Sequence, residues 1–178
     1  MIKPPTEFQT ERLLLRQPFV KDAEAIFAEY ASDPEVTRYM TWVPHKTKES
    51  VSEFLEGQIK RLRAAENISW VLTKPHDNRP IGAIGGSVRG HAIEIGYVLG
   101  RQYWNRGYMT EAICTVADWL LAQPDVFRVW AVCDIENPGS ARALEKSQFE
   151  REGLLRRWIM HPNLSSEPRD CYIYARIR

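Results

Sequence analysis

The stretch YVLGRQYWNRGYMTEA, residues 97–112, predicts a strand, a short loop and the start of a helix in direct succession. The first amides of a helix have no partner within the helix, and the helix dipole adds positive potential there. Gly107 lets the backbone approach a ligand closely or adopt a positive φ, and Arg106 adds a full positive charge. The segment predicts an anion site suited to a pyrophosphate, although an ordinary loop with a solvated arginine has the same pattern.

A second stretch, ENPGSARALEKSQF at residues 136–149, again places a helix start after a buried strand. Asn137 followed by Pro138 is typical of an N-cap with proline at the first helical position. The preceding residues 127–133 are nearly all apolar, as in a strand buried on both faces. Two consecutive strand-to-helix junctions put two helix starts at one edge of a sheet, where α/β folds bind ligands.

The rest of the chain alternates between strand and helix patterns, without internal repeats or a flexible linker. Strands are predicted over residues 12–17, 69–73, 81–88, 92–99, 127–133, about 149–160 and 169–177, and helices over 22–31, 47–65, about 107–123 and 138–147. This order predicts an α/β (α+β) fold with a mixed sheet of about seven strands flanked by about four helices. We expect one domain over residues 1–178.

The composition is that of an ordinary globular protein and excludes several classes of function. Of 178 residues, 44% are hydrophobic and 26% are charged. The formal net charge is +1, so no overall charge favours binding to nucleic acid or to an anionic membrane. We therefore expect neither nucleic acid nor a membrane as a direct partner.

The cysteines and histidines form no pattern typical of a metal site. The three cysteines share no C-x-x-C spacing, and the four histidines are scattered. We expect no metal and no disulfide framework. The sequence contains no apolar run of about 18 residues and begins without a signal-peptide pattern, so with reduced thiols we expect the cytoplasm.

Several segments, in their order and spacing, resemble the GNAT superfamily of acetyl-CoA-dependent N-acetyltransferases. They are TERLLLRQ (10–17), EIGYVL (94–99), WNRGYMTEA (104–112), ENPGSARALEKSQF (136–149) and DCYIYA (170–175). Within that superfamily the chain is most similar to the ribosomal-protein N-terminal acetyltransferases, the Rim type. The resemblance implies a mostly antiparallel, twisted sheet and acetyl-CoA as the acyl donor.

The resemblance also implies which residues contact the cofactor. The family's pyrophosphate signature, Gln/Arg-x-x-Gly-x-Gly/Ala, falls on residues 104–109, where Gly107 matches and Trp104 and Met109 depart. The implied cofactor-binding residues are Tyr97, Val98, Leu99, Asn105, Arg106, Gly107, Tyr108, Met109, Thr110, Asn137, Ser140 and Lys146. Lys146 either reaches the cofactor phosphates or is a solvated helix lysine.

The implied chemistry is direct attack of an amine on the thioester of acetyl-CoA. Glu94 is the candidate general base, with a structural or solvated carboxylate as the alternative. Asn137 and Ser140 match the family's Asn-x-x-Ser beside the thioester, although the two residues also fit the first turn of a capped helix. Many family members place a tyrosine acid where this chain has Leu144, so Ser140 becomes the candidate that protonates the thiolate.

Three further expectations concern other parts of the site. A backbone amide of Val98 or Leu99 is the candidate oxyanion donor. Glu111 is expected to orient the helix start or to pack against the loop rather than to react. The acceptor end is expected to be formed by residues 37–48, including aromatic side chains, and by residues 161–167.

The resemblance favours the N-terminal α-amine of a protein or peptide as the acceptor. Deprotonating a lysine at neutral pH costs about 4–5 kcal/mol and an α-amine only about 1 kcal/mol, so a site without an obvious strong base suits an α-amine. The alternatives are a small-molecule amine such as an aminoglycoside, polyamine or amino acid, or a non-catalytic acyl-CoA-binding module. We expect a monomer or a homodimer.

Overall fold

One eight-stranded sheet runs through the computed structural model, which describes residues 2–178. The strands are β1 (Glu7–Gln9), β2 (Leu14–Arg16), β3 (Asn67–Lys74), β4 (Asp77–Arg89), β5 (Ala92–Leu99), β6 (Arg128–Asp134), β7 (Glu150–Ile159) and β8 (Arg169–Ile177). Their order across the sheet is β1-β2-β3-β4-β5-β6-β8-β7. All pairs are antiparallel except β5–β6, which confirms the predicted mixed, mostly antiparallel sheet.

Within the described residues, five α-helices flank this sheet. They are α1 (Ala23–Ile26), α2 (Pro34–Thr37), α3 (Lys48–Arg63), α4 (Tyr108–Leu121) and α5 (Pro138–Lys146). Helix α3 begins after Thr47, whose hydroxyl accepts a hydrogen bond from the Ser50 amide at 3.3 Å and caps the helix. Among residues 2–178, no helix is both long and apolar enough to cross a membrane.

The sheet has one strand more than the sequence predicts. Strand β1 is only three residues long and contains a single apolar residue, Phe8, so it has no alternating pattern. It forms because it pairs with β2 and because Phe8 packs against Trp70 and Trp119, with ring centroids 5.2 and 5.7 Å apart. These long-range contacts leave no local signal.

The two faces of the sheet carry separate apolar clusters. The larger cluster joins alternate strand residues to the buried stripe of α4, including Ile113 and Leu120. The smaller cluster lies on the opposite face, where α1 packs through Ile26 and α3 packs through Val51 and Leu55. Alternation along β5 follows this division, since Ile93 lies in the larger cluster and the next residues alternate between the faces.

The parallel pair β5–β6 is short, and this shapes the candidate site. Pairing joins Ala92–Glu94 to Arg128–Trp130, and within the described chain residues 95–99 continue without a partner on β6. Helix α4 follows β5 and helix α5 follows β6. The two strands therefore separate at the edge where both helices begin, as the two strand-to-helix junctions predicted.

Candidate functional site

A cavity of about 570 Å³ lies between the end of β5, the loop after it and the starts of α4 and α5. We call it the helix-start cavity. It is lined by Tyr97, Val98, Leu99, Asn105, Gly107, Tyr108, Met109, Thr110, Asn137, Ser140 and Lys146, which are all the predicted cofactor-binding residues except Arg106. Arg142, which the sequence analysis did not single out, also lines it.

The start of α4 is open toward a ligand. Gly107 is the N-cap with a φ of +80°, no side chain caps the helix, and the Glu111 amide donates to the Gly107 carbonyl at 3.0 Å. The amides of the first turn before Glu111 therefore have no intrahelical partner. Asn105 also has a positive φ of 59° and lines the cavity beside the helix start. This arrangement suits a pyrophosphate.

Arg12 holds this loop in place from the N-terminal part of the chain. Its guanidinium donates to the Arg106 carbonyl at 2.8 Å and pairs with Glu111 at 2.7 Å. Glu111 also accepts a hydrogen bond from the Thr10 hydroxyl. Burial alone would raise the pKa of Glu111, but the hydrogen bonds from Thr10 and Arg12 hold it below its usual value. Glu111 thus links the start of α4 to Thr10 and Arg12, while the side chain of Arg106 lies outside the cavity lining.

The two departures from the family signature have structural roles here. Met109 is only 7% exposed and packs in the larger apolar cluster, where it forms part of the wall of the helix-start cavity. Trp104 donates its indole N–H to the Leu99 carbonyl at 2.7 Å, which ties the loop to the end of β5. Neither side chain prevents the backbone amides from facing a ligand.

The start of α5 differs from that of α4, because the side chain of its N-cap residue, Asn137, accepts a hydrogen bond from a first-turn amide. The Asn137 Oδ1 accepts from the Ser140 amide at 3.1 Å, so Asn137 is a structural cap in this structure. The Ser140 hydroxyl shares a hydrogen bond of 2.7 Å with the Tyr97 hydroxyl. Leu144 is fully buried in the core and cannot take a tyrosine's place. Tyr97 was predicted as a cofactor-binding residue without a role for its hydroxyl, although Ile95 and Tyr97, two residues apart on β5, share the face on which α5 lies.

A second cavity of about 490 Å³ lies on the sheet face beside the first. We call it the sheet-face cleft. The residues that line both spaces are Tyr39, Met40, Tyr97, Asn137 and Ser140. The Tyr39 hydroxyl donates to the Glu136 carbonyl at 2.7 Å, so a side chain from the segment after α2 spans the junction. A ligand in one cavity can thus meet a ligand in the other next to Ser140.

Glu94 lines the sheet-face cleft from the middle of β5. Its neighbours Ile93 and Ile95 face the larger core, so alternation turns the Glu94 side chain to the opposite face. The carboxylate lies 3.4 Å from the guanidinium of Arg89 and its side chain is 29% exposed. The resemblance implies this location, and the role of Glu94 as a base stays a prediction.

A buried ionic cluster on the other wall of the sheet-face cleft was not predicted. Asp134 is 1% exposed and accepts hydrogen bonds from Arg169 at 2.6 and 3.1 Å. Burial alone would raise the pKa of Asp134, but these hydrogen bonds hold it below its usual value. His161 Nε2 lies 3.7 Å from the same carboxylate. Asp134 and Arg169 are far apart in sequence, and only the pairing of β6 with β8 brings them together.

The predicted acceptor end is placed there only in part. Tyr39, Met40, Thr41 and His161 line the sheet-face cleft. By contrast, Trp42 and His45 pack against each other, with ring centroids 5.6 Å apart, and do not line it. In the part of the chain that the structure describes, no group of three His, Cys, Asp or Glu side chains is placed to hold a metal ion.

The comparisons with known proteins agree with this geometry. A family model described as an acetyltransferase (GNAT) domain matches residues 12–150. The chain belongs to the GNAT acetyltransferases. An uncharacterized N-acetyltransferase of Bacillus subtilis, YoaA, is 31% identical over 173 residues, which cover 96% of each chain. This GNAT chain is therefore an acetyl-CoA-dependent N-acetyltransferase.

Solved structures show the same GNAT fold. A GNAT-family acetyltransferase from Bacillus anthracis superposes with a TM-score of 0.83 at 31% identity, covering 96% of this chain and 98% of the other. A microcin C7 self-immunity acetyltransferase in complex with acetyl-CoA and AMP has a TM-score of 0.87 at 19% identity and 98% coverage of both chains. A ribosomal-protein-S5-alanine acetyltransferase from Vibrio fischeri has a TM-score of 0.83 at 20% identity and 97% coverage of both.

The helix-start cavity fits acetyl-CoA by its own chemistry. The open amides of α4 would hold the pyrophosphate, and the free edge of β5 beyond Glu94 would present backbone groups to the pantetheine arm. When bound, the cofactor supplies an activated acetyl thioester. The hydroxyls of Tyr97 and Ser140 lie at the junction of the two cavities, where that thioester would meet an amine. Burial raises the pKa of Tyr97, so its phenol keeps its proton.

Proposed function

We propose that this enzyme transfers the acetyl group of acetyl-CoA to the N-terminal α-amine of a protein or peptide. The observation that carries the proposal is that both carboxylates lining the sheet-face cleft form ion pairs with arginines. Glu94 has Arg89 as an ion-pair partner and Asp134 has Arg169. Among the described residues that line the sheet-face cleft, no aspartate or glutamate is left without a basic partner.

This pairing bears on which amine can react. An α-amine with a pKa near 8 has a sizeable neutral fraction at pH 7.5. Deprotonating a lysine amine, with a pKa near 10.4, costs about 4 kcal/mol at the same pH. A cleft whose carboxylates are already paired gives little help with that cost. It therefore suits an acceptor that supplies its own neutral amine.

The proposed roles follow from position. Glu94 receives the proton that the amine nitrogen releases as the C–N bond forms, directly or through water. A backbone amide of Val98 or Leu99 stabilises the oxyanion. Ser140, hydrogen-bonded to Tyr97, donates its proton to the departing thiolate and regains one from water, and Asn137 holds Ser140 at the helix start.

The fold neighbours are compatible with a peptide acceptor. One of them is named a ribosomal-protein-S5-alanine acetyltransferase. Its 20% identity shows a shared fold, so the acceptor proposed for this chain rests on the paired carboxylates and on the family's amine chemistry.

The test is a CoA-release assay with the purified full chain and acetyl-CoA. Acceptors are peptides with a free N-terminus and no lysine, the same peptides with a blocked N-terminus and one lysine, and small amines including a polyamine. We expect turnover with the first set and at least about tenfold lower kcat/KM with the second. Preference for the small amines would contradict the peptide proposal. Tight binding of acetyl-CoA without turnover would indicate a binding module.

A further inference from the structure

The floor of the sheet-face cleft is a strip of small residues that crosses three strands. It consists of Ser69 of β3, Gly85 of β4 and Gly96 of β5, which stand opposite one another in the antiparallel register. Residues directly opposite in such a register share one face of the sheet. A side-chain carbon built at Gly96 would have no neighbour within 4 Å, so the floor is open at this point. The strip leaves room for a chain lying flat on the sheet.

Two unpaired polar atoms lie on opposite sides of this strip. Within residues 2–178, the buried side-chain atoms without a hydrogen-bond partner are Asn67 Oδ1 and His161 Nε2. Both residues line the sheet-face cleft, and they are 6% and 4% exposed. Asn67 begins β3 on one side of the sheet-face cleft, and His161 follows β7 on the other. Most buried polar groups in folded proteins form hydrogen bonds, so both atoms are free to form one with a ligand in the sheet-face cleft.

Both atoms require a hydrogen-bond donor. Asn67 Nδ2 already donates to Gln58 Oε1 at 2.6 Å, which leaves Oδ1 as an acceptor. His161 Nδ1 lies 3.5 Å from the Met40 carbonyl, which can only accept, so we assign the ring proton to Nδ1 and a lone pair to Nε2. The Asp134 carboxylate, 3.7 Å from Nε2, adds negative potential at the same point.

The surroundings keep this histidine neutral. Burial lowers the pKa of His161, and the facing charged groups are Asp134 and, behind it, Arg169, whose effects on the imidazole oppose each other. The ring of Tyr39 stands edge-on to the imidazole at 6.3 Å between centroids. A neutral Nε2 at physiological pH accepts a hydrogen bond from an amine.

We propose that the acceptor is a peptide lying extended across this strip, with its amine at His161 Nε2 and a later backbone N–H donating to Asn67 Oδ1. The proposal rests on the α-amine acetyl transfer proposed above and names the residues that select its substrate. His161 Nε2 lies beside Asp134 at the end of β6, and β6 is three strand spacings from β3, about 14 Å. About three extended residues, with a hydrogen bond at each end, span this distance. The paired state of Glu94 and Asp134 favours neutral peptide N–H groups over a polycation as the second donor.

The test compares two acceptors that share one α-amine. One is a tetrapeptide, and the other is the methyl ester of its first amino acid, which has no backbone N–H beyond the amine. The enzymes are the wild type, Asn67→Leu and Gly96→Val, with Gly57→Val as the control. Gly57 lies in α3, where an added side chain would also have no neighbour within 4 Å. Acetyl-CoA affinity, measured by calorimetry, verifies that each variant is folded.

We expect the wild type to prefer the tetrapeptide over the ester by about tenfold in kcat/KM, the usual effect of one hydrogen bond in a recognition site. Asn67→Leu should remove that preference by raising the tetrapeptide KM about tenfold, with kcat and acetyl-CoA affinity unchanged. Its Tm should change little, because the substitution removes an unpaired buried acceptor together with one hydrogen bond to the partly exposed Gln58. Gly96→Val should lower kcat/KM for the tetrapeptide at least about tenfold, because its side chain fills the floor of the sheet-face cleft. Gly57→Val should leave kcat/KM unchanged for both acceptors.

Equal use of both acceptors by the wild type, or the same preference in Asn67→Leu as in the wild type, would overturn the proposed binding mode. A lower Tm of Asn67→Leu with an unchanged KM would show a purely structural role for Asn67 and would overturn it as well. These outcomes differ from failure of the proposed function, in which the wild type binds acetyl-CoA but acetylates neither acceptor.

Discussion

The helix-start cavity and the sheet-face cleft meet at Ser140, yet they are built in opposite ways. The helix-start cavity takes most of its lining from two short continuous segments, at the starts of α4 and α5, and offers main-chain amides. The sheet-face cleft collects side chains from β3, β4, β5, β6 and the segments beside them. Its polar groups are side-chain carboxylates, an amide and an imidazole.

This difference separates what the enzyme shares with its family from what is its own. Backbone amides at a helix start serve a pyrophosphate with almost any side chain, so Trp104 and Met109 are accommodated without loss of the geometry. A cleft of side chains changes its chemistry with every substitution. We therefore expect substitutions in the two cavities to affect different kinetic constants.

The largest effect is expected from Glu94→Gln in the sheet-face cleft. Loss of the general base should lower kcat about 10²- to 10⁴-fold and leave the Kd of acetyl-CoA unchanged. Steady-state kinetics and calorimetric titration measure the two quantities. Glu152→Gln on β7, which also removes a carboxylate paired with an arginine, is the matched control. Unchanged turnover in Glu94→Gln would exclude Glu94 from the mechanism.

Gly107→Val in the helix-start cavity is expected to weaken acetyl-CoA binding, the quantity that Glu94→Gln should leave unchanged. A side chain at a φ of +80° is strained by about 1–3 kcal/mol, and its Cβ would lie 3.2 Å from the Arg12 guanidinium. We expect the Kd of acetyl-CoA to rise about 10- to 100-fold. Gly90→Val imposes similar strain at a φ of +64° in a turn away from both cavities, and should leave the Kd unchanged. Normal affinity in Gly107→Val would place the pyrophosphate elsewhere.

A smaller effect is expected where the two cavities join. Tyr97→Phe removes the hydrogen bond to Ser140 and should lower kcat about 3- to 10-fold, with little change in either substrate's binding. Because burial raises the pKa of Tyr97, the wild-type phenol stays protonated, and its ionisation should cause no loss of kcat up to about pH 9. Tyr30→Phe, a buried tyrosine outside both cavities, is the control. Full activity in Tyr97→Phe would mean that Ser140 acts without it.

The smallest effect is expected from Glu111→Gln, which weakens the support behind α4. The pKa of folded Glu111 is lowered, so its contribution to stability is present above the unfolded pKa of about 4.3 and is lost as the pH falls through the folded pKa. Urea unfolding at pH 7 should show a loss of about 1–2 kcal/mol in the variant. The difference should shrink toward zero well below pH 4. A difference that persists in acid would assign the effect to packing.

The elements with a local pattern were predictable from the sequence, and those held by distant contacts were not. Strand β8 and helix α5 follow from alternation and from the Asn137-Pro138 start, and the open start of α4 follows from its loop and Gly107. Strand β1 has no pattern of its own. The Asp134–Arg169 pair, and the hydroxyl contact of Tyr97 with Ser140, depend on strand order and on the angle of α5, which spacing along the chain does not encode.

The early end of the β5–β6 ladder has a consequence for amide hydrogen exchange. Main-chain groups of residues 95–99 that face the gap have no strand partner there, so in the free enzyme their N–H groups should exchange with deuterated solvent faster than those of Ala92–Glu94. A pantetheine arm lying along that edge would slow them without moving any helix. The gap in the sheet thus makes the occupied and free forms of the enzyme distinguishable, residue by residue, by their deuterium uptake.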